Sequence, residues 1–271
     1  MGQATLADSE NPRLDARLLL SHVLQKEYVY LLGHGEDALA PEQEAAYKRL
    51  LSQAAQNMPI PYLTGHADFY GRRFVVSPAV LIPRPETEEL VALALAWLEK
   101  RPGAQVVDVG TGSGCIAVTL ACETEEAAIL AVDISPEALA IARQNAERHG
   151  VEARVQFLQG SLLAPVEAPV DLILANLPYV TDTEWEALAQ SVREHEPALA
   201  LRGGDDGLAL IRDLLSESSD KLRPGGAILL EIGWQQGPAA LALARRFFPD
   251  EAVRLLKDLS GLDRFILIQT S

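Results

Sequence analysis

The sequence predicts an α/β fold: a mainly parallel seven-stranded sheet closed by an antiparallel terminal hairpin, with a small helical domain before it. Three observations carry this. Seven short apolar runs alternate with helical stretches from Gly103 onward. A glycine-rich turn follows the first run. The first 70 or so residues show helical spacing and no strand pattern.

In the N-terminal part, Leu14, Leu18, Leu19, Val23 and Leu24 recur at the spacing of one helix face, and a second helix opens at Pro41 and runs through Tyr47, Leu50, Leu51 and Ala54. Residues 1–70 form the helical domain, residues 71–86 a hairpin linker, and residues 87–271 the α/β domain. Within the linker, 73–76 and 79–82 are β-prone pieces around Ser77-Pro78. Pro83 and Pro85 end it, and the helix that follows carries acids in its first turn, which suits the helix dipole.

The apolar runs are 105–109, 128–132, 154–158, 170–175, 227–232, 252–256 and 264–269. Runs without polar alternation imply strands covered on both faces. The stretch "SPEALAIARQNAERHG" reads as a covering helix, with Ser135 as cap, Pro136 in the first turn and Gly150 at the C-terminal end. The last two runs are separated only by "KDLSGLD", which predicts the hairpin.

Bulk properties bound the function. The 271 residues carry 23 Lys and Arg against 38 Asp and Glu, a formal charge of −15. A polyanion would be repelled overall, so no direct nucleic-acid contact is expected; the balance suits a small-molecule enzyme or one acting on a basic protein. No apolar run approaches the roughly 18 residues of a membrane span, and the N-terminus has neither the basic nor the apolar region of a secretory signal. A cytoplasmic, monomeric protein with no membrane partner is expected. Cys115 and Cys122 lie on one predicted helix about 10 Å apart, too far for a disulfide, and read as buried thiols.

The chemistry starts at "VVDVGTGSGCIAVTLA", residues 106–121. Strand, glycine turn and helix form a nucleotide-type cradle. Gly110, Gly112 and Gly114 give G-x-G-x-G; the dinucleotide fingerprint would need glycine at Cys115, and no Lys follows to make a phosphate loop. Asp108, two residues ahead of the first glycine, would oppose a pyrophosphate and suit a cation. Asp133, ending the next strand, can accept both hydroxyls of a ribose. The pattern calls for no metal.

A second constellation is "DLILANLPYV", residues 171–180. Ligands of such sheets bind beyond the carboxyl ends of the strands, which places Asn176 in the same crevice as Gly110 and Asp133. The Asn176 side-chain oxygen and the Leu177 carbonyl can each accept one N–H of a planar NH₂ group. Pro178 stiffens the turn and Tyr179 offers a flat face.

The glycine loop with its downstream acid resembles the cofactor half of class I (Rossmann-like) S-adenosyl-L-methionine-dependent methyltransferases. Asn-Leu-Pro-Tyr resembles the Asn-Pro-Pro-Tyr motif of amino methyltransferases, with Leu177 in place of the first proline. Residues 62–91, together with "EPALALRGGDDGL", "LRPGGAILLEIGWQQG" and "DLSGLDRF", are similar to the HemK/PrmC family of peptide chain release factor glutamine N5-methyltransferases. The resemblance spans nearly the whole chain. It implies a helical domain that docks the release factor and methylation of the glutamine in its Gly-Gly-Gln motif, with S-adenosyl-L-homocysteine as product. By position, Asp108, Gly110, Thr111, Gly112, Ser113, Gly114 and Asp133 would hold the cofactor, and Asn176, Leu177, Pro178 and Tyr179 the glutamine amide. Asn176 also adjoins the cofactor, Leu162 falls where some relatives place an aromatic beside the adenine, and Arg84 and Thr87 would border it. Glu231, Trp234 and the two glutamines after it read as structural. Three alternatives stand beside this reading: a glutamine methyltransferase for a ribosomal protein, a DNA or RNA adenine N6-methyltransferase, and a cofactor-binding regulatory module without catalysis.

Overall fold

The computed structural model describes residues 2–6, 9 and 11–271. These fall into two compact units, one running to His66 and joined by Ala189–Glu196, the other comprising Ala67–Leu188 and Pro197–Ser271.

The first unit is helical: α1 (Gly2–Thr5), α2 (Pro12–Leu24), α3 (Tyr28–Gly33), α4 (Pro41–Ala54) and α5 (Ile60–Thr64). Asn11 caps α2 by accepting from the Leu14 N–H, and prolines open α2 and α4. Leu6, Ala16, Leu19 and Leu51 form its small core.

The second unit begins with a hairpin whose strands differ from the expected ones. They are β1 (His66–Phe69) and β2 (Arg72–Val75), joined by Tyr70 and Gly71, both at positive φ. Residues 79–82 form no strand. The Val80 N–H bonds back to the Ser77 carbonyl and the Ala79 N–H to the Ser77 hydroxyl, so the chain turns at Ser77-Pro78. Pro83 and Pro85, lacking N–H donors, cannot restore pairing beyond it. After this segment come α6 (Pro85–Leu98), β3 (Gln105–Val109), α7 (Cys115–Glu123), β4 (Ala128–Asp133), α8 (Pro136–Arg148), β5 (Val155–Gln159) and β6 (Val170–Ala175). The chain continues through β7 (Val180–Thr181), α9 (Asp182–Ala187), α10 (Gln190–His195, which groups with the helical unit) and β8 (Arg202–Gly204). It ends with α11 (Ala209–Ser218), β9 (Leu222–Glu231), α12 (Gly237–Phe247), β10 (Ala252–Lys257) and β11 (Asp263–Gln269).

The main sheet has the order β10-β11-β9-β6-β3-β4-β5. β3, β4, β5, β6 and β9 run parallel, and β11 is antiparallel to both β9 and β10. All seven expected runs fall on these strands, with only Arg154 and Ile232 lying just outside them; β9 begins earlier, at Leu222, and takes in Pro224 and two glycines opposite a register shift beside Val170. Period-two geometry sorts each strand between two cores. Val106, Leu172, Leu174 and Leu229 face the side covered by α6 and α7, while Val107, Ile173, Ile228 and Leu230 face the other. By the same parity Asp108, Asn176 and Glu231 belong to the α6 side. Since Ala175 pairs with Leu230, one further step sets Asn176 beside Glu231.

Candidate active site

At the carboxyl ends of β3, β4 and β6 lies a crevice of about 380 Å³. That volume is in the range of small-molecule sites. Of the sequence-predicted residues, Arg84, Thr87, Gly110, Thr111, Gly112, Ser113, Asp133, Leu162, Asn176, Leu177 and Pro178 line it. Asp108, Gly114 and Tyr179 do not.

The glycine loop is built from its own backbone and the neighbouring strand. The N–H groups of Gly110 and Thr111 donate to the Val132 carbonyl at 2.8 and 2.9 Å. Asp133 Oδ2 accepts from the Gly112 N–H at 2.8 Å and its Oδ1 from the Ser135 N–H at 2.9 Å. Each carboxylate oxygen retains a lone pair for a hydroxyl on the crevice side. All three loop glycines have positive φ. Asn145, fully buried on α8, clasps this loop to the hairpin: its Nδ2 donates to the Ser113 carbonyl and the Val75 carbonyl, and its Oδ1 accepts from the Val75 N–H.

Asp108 lies beneath the loop with no exposed surface. Its Oδ2 accepts from the Thr111 hydroxyl at 2.6 Å and the Ala117 N–H at 3.3 Å, while its Oδ1 has no partner among the described residues. Burial dominates and pushes its carboxyl up to about 7, with the Asp133 charge adding to the rise. An uncompensated buried carboxyl next to the crevice suits a ligand that brings positive charge. Cys115 also lines the crevice, but burial pushes its thiol to about 12, so it is not a nucleophile at neutral pH.

The Asn-Leu-Pro-Tyr segment is held from outside. Asn176 Nδ2 donates to Thr87 Oγ1 at 3.0 Å, and Thr87 Oγ1 donates to Glu231 Oε2 at 2.8 Å. The Leu177 side chain is buried; a Cβ on Gly110 would stand only 3.0 Å from its Cδ2. The Tyr179 carbonyl accepts from Gln236 Nε2 at 2.9 Å, and Gln236 Oε1 accepts from the Gly233 N–H at 2.9 Å. A Cβ at Gly203 would meet the Pro178 carbonyl oxygen at 2.6 Å and Tyr179 Cα at 2.8 Å, so this close approach requires glycine. Burial, then the nearby Glu231 charge, pushes the Tyr179 phenol up to about 12; it stays neutral and cannot serve as a base. Leu162 sits at φ 47, rare for a branched side chain, where it lines the crevice.

Residues 1–65 match the family model for the PrmC N-terminal domain, and residues 90–203 that for the methyltransferase small domain. A release factor glutamine methyltransferase from Bordetella pertussis is 42% identical over 96% of this chain and 95% of its own length. One from Cereibacter sphaeroides is 44% identical over 93% of this chain and 89% of its own. The chain belongs to the release factor glutamine methyltransferase family. The chain also shares the fold of a 16S rRNA methyltransferase from Thermus thermophilus in complex with AdoMet and guanosine, with 18% identity, a TM-score of 0.54, and coverage of 76% of this chain and 50% of that one. At that identity the likeness speaks for the fold alone. The stretches "RGGDDG" and "GWQQG", which carried part of the resemblance, supply Gly203 and Gln236; these brace Pro178 and Tyr179, a structural role of the kind expected for the glutamines.

Proposed function

We propose that this protein transfers the methyl group of S-adenosyl-L-methionine to the side-chain amide nitrogen (N5) of the glutamine in the Gly-Gly-Gln motif of peptide chain release factors. The observation that carries this reading is Asn176, which lines the crevice beside the glycine loop with its NH₂ tied to Thr87 and its carbonyl oxygen left to accept. When bound, the cofactor supplies an electrophilic methyl on a positively charged sulfur.

The chain's own residues do the rest. Asp133 accepts ribose hydroxyls, Leu162 packs beside the adenine, and Arg84, Thr111 and Ser113 border the ligand. Asp108, buried below, balances its positive charge. The glutamine NH₂ is a poor nucleophile because its lone pair is delocalised. Asn176 Oδ1 and the Leu177 carbonyl each take one of its N–H bonds, which orients the nitrogen and stabilises the positive charge that develops on it. No strong base is required, because a methylated cationic amide nitrogen gives up its proton readily. The neutral Tyr179 phenol agrees with that. Pro178 keeps the two acceptors in register.

The helical unit is read as the part that docks the release factor. Val29 and Leu32 on α3 are 71% and 60% exposed, and Leu14 and Leu18 on α2 are also exposed, which supports an apolar docking face. Among the described residues no helix is long and apolar enough to cross a membrane. The reading places the protein in the cytoplasm, with translation factors, as a monomer.

The test is to incubate purified protein with methyl-labelled S-adenosyl-L-methionine and a release factor, a ribosomal protein fraction and duplex DNA in parallel, then map the label. Label on the Gly-Gly-Gln glutamine is expected. Label on the ribosomal fraction or on DNA, with none on the release factor, would overturn the assignment.

A further inference from the structure

Thr87 and Glu231 lie 144 positions apart, and neither carries a group that methyl transfer consumes. Glu231 closes the apolar run 227–230 of β9 and is 1% exposed, and Thr87 is 2% exposed. Burial pushes the Glu231 carboxyl up to about 7; in the ionised form, which prevails above that pH, it needs a donor, and the donor it has is the Thr87 hydroxyl at 2.8 Å. A hydroxyl has one proton. Once it is given to Glu231, Thr87 Oγ1 can only accept, and the group facing it is Asn176 at 3.0 Å. Only the NH₂ end of the Asn176 amide fits there. The opposite orientation would set two acceptors against each other and turn a donor toward the crevice, where the substrate also brings N–H bonds.

We infer that Thr87 and Glu231 are positioning residues that fix the polarity of the Asn176 amide, so that its oxygen and not its nitrogen meets the substrate amide. The register of the sheet makes this available: β6 and β9 place Asn176 beside Glu231 on the same face, and α6 covers that face with Thr87 in its first turn. Arg84, Glu86 and Arg264 are the other charged groups that act on Glu231. Arg264 is engaged with Asp258 at 3.1 Å, so it does not replace Thr87 as the donor. This inference rests on the proposed glutamine methylation for its kinetic consequence but not for its geometry.

The experiment compares Thr87→Val, which swaps hydroxyl for methyl at similar volume, with Thr87→Ser, which keeps the hydroxyl. Thr87→Val should lower kcat by roughly 10- to 100-fold, with KM for the release factor and Kd for the cofactor within about twofold of wild type. Thr87→Ser should recover most of kcat. Side-chain amide NMR of Asn176 gives an arm that needs no substrate: its NH₂ protons should exchange slowly in wild type and in Thr87→Ser, and fast in Thr87→Val. Equal kcat in wild type and Thr87→Val, an equal loss in Thr87→Ser and Thr87→Val, or Asn176 exchange that the valine leaves unchanged would overturn the relay. If wild type fails to label the release factor, the functional assignment falls, while the exchange measurement still decides the relay.

Discussion

The two halves of the crevice are held by different means. The loop after β3 is held by nearby partners: Gly110, Thr111 and Gly112 bond to Val132 and Asp133 on the adjacent strand, Ser113 bonds to Asn145 on the next helix, and its acid, Asp108, bonds to Thr111 within the same motif. The segment after β6 depends on partners far along the chain. Asn176 relies on Thr87, 89 positions away, and the Tyr179 carbonyl on Gln236, 57 positions away. The proposed cofactor half is thus made from consecutive elements, β3 to α8. A site that must hold one weakly nucleophilic amide in a single orientation is assembled from the surrounding fold, which limits how it can drift.

Variants should separate the two halves. The largest effect is expected from Asn176→Ala, which removes the proposed acceptor: turnover should fall by roughly 10²- to 10³-fold. Cofactor Kd by calorimetry should change little; near-wild-type turnover would refute the amide clamp. Gly203→Ala should come next. Its methyl displaces the Pro178 and Tyr179 backbone, and a shift on the order of 1 Å costs about 10²-fold in rate. The glycine loop is untouched, so cofactor affinity should survive; a loss of both together would show that the halves are not separable.

A smaller effect falls on the other half. The free-state carboxyl of Asp108 stands near 7, and a cationic ligand favours its ionised form. Binding therefore releases a proton below about pH 7, and cofactor affinity should weaken as pH falls, approaching tenfold per pH unit for one linked proton. Asp108→Asn should flatten that slope and bind weakly throughout, as titration at a series of pH values would show. Leu177→Pro should have the least effect on rate, under about threefold, because the proposed acceptor is a main-chain oxygen. Its buried side chain is lost, however, so thermal unfolding should shift down by a few degrees.

The same division explains what the sequence disclosed. The strands were legible because each is apolar throughout, and the glycine loop because its chemistry is contiguous. Asn176 was legible because a polar residue ends such a run. Glu231 offered a comparable signal, a lone acid closing "AILLE", but its meaning depends on Thr87 and on a register that spacing does not reveal. Gly203 was visible only within a motif of the resemblance, and Gln236 read as structural without showing that the Tyr179 carbonyl is what it holds. The hairpin was misplaced because β-branched composition at 79–82 outweighed the turn set by Ser77-Pro78. The grouping of Ala189–Glu196 with the helical unit has no local signature at all.

Asn145 carries a consequence for the order of events on the ribosome. Both polar groups of Val75 are satisfied by a side chain 70 positions downstream. At roughly 5–20 residues per second, β2 waits about 4–14 s after its own synthesis before that partner exists. A nascent chain stopped short of residue 145 should therefore leave Val75 open to protease, and one extended past it should not. The catalytic unit thus finishes its first strands late, well after the helical unit's N-terminal helices have been made.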